Sequence, residues 1–209
     1  MAKKPKYYVV WRGRDTGIFT TWEQCSQQVE GFADAEYKAF SNRDAAERAF
    51  QGGYHDYRGK PAPTLSAEEI ALIGEPELES YSVDASCLGY PGPVEYRCVH
   101  TRTKEVVFRR GPFAGGGSNL GEFLALVHAL ALFKNKGISL PIYSDSRTAI
   151  SWVRRKKCKS RVERQDDNRV LFELVDRAVR WLEANDYANA ILTWETAAWG
   201  DIPADFGRK

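Results

Sequence analysis

A chain of 209 residues with 43% hydrophobic and 12% aromatic content can bury a sizeable core, in one domain or two. Its four cysteines (Cys25, Cys87, Cys98 and Cys158) lie far apart without a C-x-x-C pair, which speaks against a disulfide framework or a zinc site; with no secretory leader, reduced thiols in a cytoplasm are expected. The longest apolar run, residues 123 to 133, is too short for a membrane span and is interrupted by His128, so the expectation is a core helix and no membrane partner.

The first stretch, residues 1 to 53, reads as a small aromatic-rich domain. "YYVVWRG" and "GIFTTW" are strand-like and flank turn formers at Arg14, Asp15 and Gly17. Thr21 can cap a helix over "WEQCSQQV", "EYKAF" reads as a third strand, and "SNRDAAERAF" as a helix opened by Ser41 or Asn42 and closed by Gly52 and Gly53. Residues 54 to 79 carry Gly59, Pro61, Pro63 and Pro76 and read as a linker. A short helix within it would start at Ser66, whose spacing to Glu69 fits a capping box.

From residue 80 to 209 the pattern is that of a mixed sheet covered by helices. "YSVDASCL", "VEYRCVHT" and "EVVFRRG" suggest an antiparallel meander, "GPFAGGGSN" a glycine-rich loop, and a long apolar helix begins near Leu120. The strand "LPIYSD", helices over "SRTAISWVRRKK" and "NRVLFELVDRAVRWLEAN", the strand "AILTW" and an irregular tail complete an α/β domain.

Net charge is only +2 but unevenly spread: residues 61 to 80 carry five acids and no base, and 154 to 164 carry seven bases and one acid. A basic run is either a solvated face or a phosphate-binding patch.

Five carboxylates stand where chemistry is possible. Asp145 ends a buried strand, where it is either a helix N-cap or a metal ligand. Asp84 interrupts another strand, Glu122 follows Gly121 in what reads as the first turn of the long helix, and Asp201 and Asp205 lie in the closing "WGDIPADFGRK". Converging carboxylates repel one another and are costly to desolvate, so a site that keeps them usually holds a divalent cation. Oxygen ligands without His or Cys favour Mg²⁺ or Mn²⁺, and two such ions can activate water against a phosphodiester.

"YSVDAS", "SNLGE", "IYSDS" and the late "PAD", in this order, resemble the catalytic domain of type 1 ribonuclease H. The resemblance implies a ribonuclease H-like mixed five-stranded sheet with flanking helices, two Mg²⁺ ions (or Mn²⁺ in their place) on Asp84, Glu122, Asp145 and Asp205, and nucleic-acid contacts from Ser86, Asn119 and Ser146. It departs from the family in "DAS" at Asp84 to Ser86 and in the absence of a histidine from "ETAAWGDIPA". Four residues follow Asp205, without the family's terminal helix, which implies a loosely held fourth ligand; Asp201 is an alternative, and a second copy of the chain is a candidate organiser of the tail.

The elements "W-x-G-x-x-x-G-I-F-x-x-W" and "Y-K-x-F" within residues 5 to 51 are similar to the hybrid-binding, viroplasmin-like domain that precedes many ribonucleases H. By that resemblance a small three-stranded α/β module would stack Trp22 and Tyr37 on the DNA sugar–phosphate and use Lys38 on phosphates or 2′-hydroxyls, with Ala39 where the family often has a second lysine. Arg154, Arg155, Lys156 and Lys157 would track the duplex backbone.

The expected function is hydrolysis of the RNA strand of RNA·DNA hybrids, leaving 5′-phosphate and 3′-hydroxyl ends. The alternatives are a silent adaptor for hybrids or double-stranded RNA, and another nuclease of the same fold.

Overall fold

The computed structural model describes residues 6–57 and 65–207. The chain divides into two compact units, Met1–Glu75 and Pro76–Lys209.

In the first unit, strands β1 (Tyr7–Arg12), β2 (Gly17–Phe19) and β3 (Glu36–Phe40) form an antiparallel sheet of order β2-β1-β3. Successive strand side chains point to opposite faces, so Val9 and Val10 of β1 serve two different cores. Val10 packs with Cys25 and Val29 of helix α1 (Trp22–Val29), and Val9 with Phe40 and three alanines of α2 (Arg43–Gly52). Thr21 caps α1, and Asn42 rather than Ser41 caps α2, its Oδ1 accepting from the Ala45 N–H at 2.7 Å.

The expected linker is partly structural. Tyr54 and Tyr57 lie against Trp11, with ring centroids 5.5 and 5.9 Å away, and so close the core of the first unit. Ser66 opens helix α3 (Ala67–Ile73) through the expected capping box with Glu69. Gly59, Pro61 and Pro63 lie outside the described residues.

The second unit is built on a five-stranded mixed sheet of order β6-β5-β4-β7-β8. Strands β4 (Tyr81–Cys87), β5 (Gly92–His100) and β6 (Val106–Gly116) form the antiparallel meander. β7 (Ile142–Ser144) joins β4 in parallel, and β8 (Ile191–Thr193) joins β7 likewise. Parallel entry needs crossover connections, which α4 (Ser118–Lys136), α5 (Arg147–Arg154) and α6 (Arg169–Ala184) provide. Helix α4 is apolar nearly all round and correspondingly buried, with Phe123, Leu126, Leu130 and Phe133 in the main core. A short α7 (Thr196–Trp199) follows β8. Among the described residues no helix is long and apolar enough to cross a membrane.

Three expectations change here. The glycine-rich stretch is strand rather than loop, since β6 continues to Gly116 with irregular register against β5. Its glycines serve close packing: a Cβ on Gly116 would stand 2.5 Å from Val94 Cγ2 and 2.7 Å from Leu171 Cδ2. Helix α4 therefore starts at Ser118, which moves Glu122 into its second turn, beyond reach of the favourable first-turn dipole. Helix α5 stops at Arg154, so most of the basic run lies outside it.

Candidate active site

β4 and β7 pair only through Tyr81 with Ile142 and Ser82 with Tyr143. Beyond that point the two chains part. Asp84 and Asp145 each follow the last pair by two residues, and the two-residue period places both on one face of the opening. Open α/β sheets bind ligands in such crevices at the carboxyl ends of their strands. The carboxylate of Asp145 is not spent on capping: Ser146 caps α5, its Oγ accepting from the Ala149 N–H at 3.2 Å.

Val83 and Ala85 flank Asp84 and turn to α4. Gly121 lets that helix settle on the sheet, because a Cβ there would stand 2.6 Å from both Ala85 Cβ and Val94 Cγ1. The next residue, Glu122, then reaches the crevice. The Ser146 hydroxyl donates to its carboxylate, while Oε2 is buried with no partner among the described residues. Oxygens from Asp84, Glu122 and Asp145 lie within 4.8 Å of one another.

The electrostatics record the crowding. Burial, then the charges of Asp145 and Asp205, push the Asp84 carboxyl up to about 7 against the backbone N–H groups of Ala85 and Phe206, which favour its ionised form. Burial, then Asp145 and Asp84, push Glu122 up to about 8 against the Ser146 hydroxyl. Asp145 is raised by burial and by Asp205 and Asp201. Ionising all three acids together calls for a compensating cation. An orphaned buried oxygen within an all-carboxylate donor set fits a hard divalent ion of the Mg²⁺ or Mn²⁺ type.

Asp205 stands at the edge of this group. Its charge reaches Asp84 and Asp145, yet its Oδ2 accepts from the Gly207 N–H at 2.8 Å. The structure thus gathers three of the four expected acids and sets the fourth beside them.

The tail is firmly anchored, contrary to expectation. Tyr143, Trp194 and Ile202 form a small core joined by Trp199, and Trp194 Nε1 donates to the Gly200 carbonyl at 2.9 Å. Arg97 Nε donates to the Ala204 carbonyl at 2.7 Å, its Nη2 donates to the Asp205 carbonyl, and its guanidinium lies 4.7 Å from the Phe206 ring centroid. Sequence reasoning missed Arg97. Its signal was positional, as the residue directly opposite Asp84 in the β4–β5 register.

The other candidate residues occupy several settings. Ser86 lies two residues beyond Asp84 on β4, Asn119 is exposed in the first turn of α4, and the Ser146 hydroxyl is shared between Glu122 and the α5 cap. Arg155 and Lys157 are exposed and Lys156 is half-buried, whereas Arg154 donates to the Ile191 carbonyl at 3.3 Å. In the first unit, Trp22 and Tyr37 are 42% and 41% exposed and form an aromatic row with Tyr8, at centroid distances of 5.9 and 5.7 Å from Trp22. Lys38 is turned inward, its Nζ donating to the Tyr57 carbonyl at 2.7 Å.

Fold and site together define an α/β domain with a carboxylate centre suited to a divalent metal, preceded by a small sheet module with exposed aromatics. Residues 6–50 of that module match the family model described as Ribonuclease H1 N-terminal domain. The chain is 38% identical over 89 residues to a ribonuclease H of Crithidia fasciculata, covering 40% of this chain and 18% of that protein. It is 48% identical over 46 residues to a ribonuclease H of Schizosaccharomyces pombe, covering 22% and 17%. The crystal structure of RNase H1 from Halobacterium salinarum superposes with a TM-score of 0.37 at 20% identity, covering 55% of this chain and 83% of that one. The chain spans less than a fifth of the length of these two curated relatives. Both of these relatives are named ribonuclease H, and the family model that matches covers the N-terminal module.

Proposed function

We propose that the chain is an endoribonuclease that hydrolyses the RNA strand of RNA·DNA hybrids. The observation that carries this reading is the triad of Asp84, Glu122 and Asp145 in the strand crevice, with Glu122 Oε2 buried and unpartnered. Asp84, Glu122 and Asp145, with Asp205 beside them, would hold two divalent ions, which when bound supply an activated water and charge stabilisation at the phosphodiester. The chain's own part is to fix its carboxylates. β4 and the end of β7 set two of them, Gly121 brings the third close, and the Ser146 hydroxyl orients it. Ser86 and Asn119, small polar groups near this centre in the sequence, suit the reading of 2′-hydroxyls that separates RNA from DNA. The exposed row of Trp22 and Tyr37 suits stacking on the hybrid, and Arg155 and Lys157 suit phosphate contacts that weaken with salt.

The test incubates the full chain with end-labelled RNA·DNA, RNA·RNA and DNA·DNA duplexes, with and without Mg²⁺ or Mn²⁺, and analyses the product ends. Metal-dependent cleavage of the RNA strand in the hybrid alone, leaving 5′-phosphate and 3′-hydroxyl ends, is the expected result. Equal cleavage of all three duplexes would overturn it. Hybrid binding without cleavage under either metal would make the chain an adaptor instead.

A further inference from the structure

A second cavity in the catalytic unit, of about 330 Å³, is lined by β5, β6, α4 and α6 and by none of the acids of the crevice. Its walls are apolar, with Phe113, Leu124, Leu174 and Trp181 among them. Its polar lining is Arg110 of β6, Arg177 of α6, His128 of α4 and Tyr96 of β5, with the two arginines its only charged side chains among the described residues. The His128 ring stacks on Phe108, at 4.0 Å between centroids and 16° between planes, and meets Tyr96 edge-on at 6.1 Å. Its imidazole makes no hydrogen bond among the described residues. The charged groups acting on it are both cationic, Arg110 and Arg177, and no acidic side chain lines the cavity. Arg110 donates to the Arg109 carbonyl at 2.9 Å, and neither guanidinium pairs with a carboxylate among the described residues. A half-open apolar pocket that carries two arginines, and no acceptor on its side chains apart from the imidazole and a tyrosine hydroxyl, is complementary to one ligand chemistry, an apolar body that ends in an anion.

We propose that this cavity binds a small amphipathic carboxylate, its hydrocarbon portion between Phe113, Leu174 and Trp181 and its carboxylate between Arg110 and Arg177. At about 330 Å³ the cavity lies at the small end of ligand sites, which begin at roughly 300 Å³, so a short-chain carboxylate such as octanoate is the probe of choice. The site is separate from the metal centre and does not depend on the nuclease reading.

The test titrates the full chain with octanoate and follows Trp181 by fluorescence and backbone amides by NMR, with 1-octanol as the uncharged counterpart. Saturable octanoate binding is expected, with shifts confined to α4, α6 and β6, and octanol should bind about tenfold more weakly. Arg177→Ala and Arg110→Ala, both at exposed positions and so compatible with folding, should each weaken octanoate by about tenfold. Arg102→Ala, outside the cavity, should leave it unchanged. Equal affinity for octanoate and octanol, or no effect of either arginine variant, overturns the proposal. So does a concentration-dependent dimer in sedimentation that Leu174→Arg abolishes and octanoate leaves intact, since the cavity would then be a contact for a second copy of the chain.

Discussion

Asp84 and Arg97 are direct cross-strand partners on β4 and β5, yet the arginine turns past the carboxylate to hold the tail. It donates to the carbonyls of Ala204 and Asp205 and covers the Phe206 ring, and the N–H of Phe206 in turn supports the ionised form of Asp84. One strand position therefore couples the central acid to the segment that carries Asp205.

Arg97→Met should release that segment while keeping an aliphatic stem in place. Misplacement of about 1 Å at a reacting centre can cost about 100-fold, and a loss approaching that size in hybrid cleavage is expected. A metal titration should show a higher Mg²⁺ requirement. Arg97→Met combined with Asp205→Asn should cost scarcely more than Asp205→Asn alone, as for residues that act through one another. Additive losses would show that Arg97 works elsewhere.

The limits of the sequence can be seen at the same residues. Asp84 and Asp145 were legible because a carboxylate inside or at the end of an apolar run is conspicuous, and Glu122 because a glycine precedes it. Arg97 was not, since its meaning depends on strand register, which the sequence does not carry. The setting of Lys38 was illegible for a related reason: the carbonyl that takes its ammonium belongs to Tyr57, in a stretch whose prolines and glycines mark it as spacer. The 111 to 116 run shows the same ambiguity, because glycine frees a loop and equally lets a strand pack tightly.

The triad can be probed without substrate. Asp84→Asn, Glu122→Gln and Asp145→Asn should each reduce turnover by on the order of 10³-fold with hybrid binding retained, because the chemistry depends on charge at fixed geometry. In metal-free protein the Glu122→Gln variant should melt higher than wild type at pH 8, since it removes a buried charge from a crowded set. Adding Mg²⁺ should stabilise wild type and leave the variant nearly unchanged. A variant at Asp145 that keeps full Mg²⁺-dependent activity would refute the site.

Gly121 ties the helix to that geometry. Gly121→Ala forces a methyl group to 2.6 Å from Ala85 Cβ and Val94 Cγ1, so α4 must shift. Overpacking of this kind costs about 1–3 kcal/mol, readable by urea denaturation, and the accompanying displacement of Glu122 should reduce cleavage further than the stability loss explains. Unaltered activity in the folded variant would mean the carboxylate position tolerates the shift.

In the first unit, the exposed aromatics and the inward lysine predict opposite phenotypes. Trp22→Ala should weaken binding of long hybrids by about 1–3 kcal/mol, as stacking platforms do, with little change in melting temperature. Lys38→Ala removes the donor to Tyr57 and should lower stability more than affinity. Fluorescence anisotropy and thermal melts on both variants distinguish the roles, and a Lys38→Ala protein of normal stability with greatly reduced affinity would return this side chain to the nucleic-acid surface.

His128 gives the second unit a pH dependence whose sign is fixed. Burial, then the positive charges of Arg110 and Arg177, hold its imidazole down at about 4, against 6.5 for an ordinary histidine. Between those values the unfolded chain binds a proton that the folded chain refuses. Stability then rises with pH, by at most about 1.4 kcal/mol per unit for one proton. This contribution is complete above pH 6.5 and is lost as the pH falls towards 4. Asp84 and Glu122, raised in the folded chain, act in the opposite direction, so wild type alone does not isolate the effect. His128→Asn removes the titration and leaves the other groups in place, and the difference between the two proteins cancels those groups. Denaturant melts from pH 7.5 to 4.5 in constant Mg²⁺ should show wild type losing stability faster than the variant below pH 6.5. Parallel curves would show that the imidazole is hydrated and titrates normally.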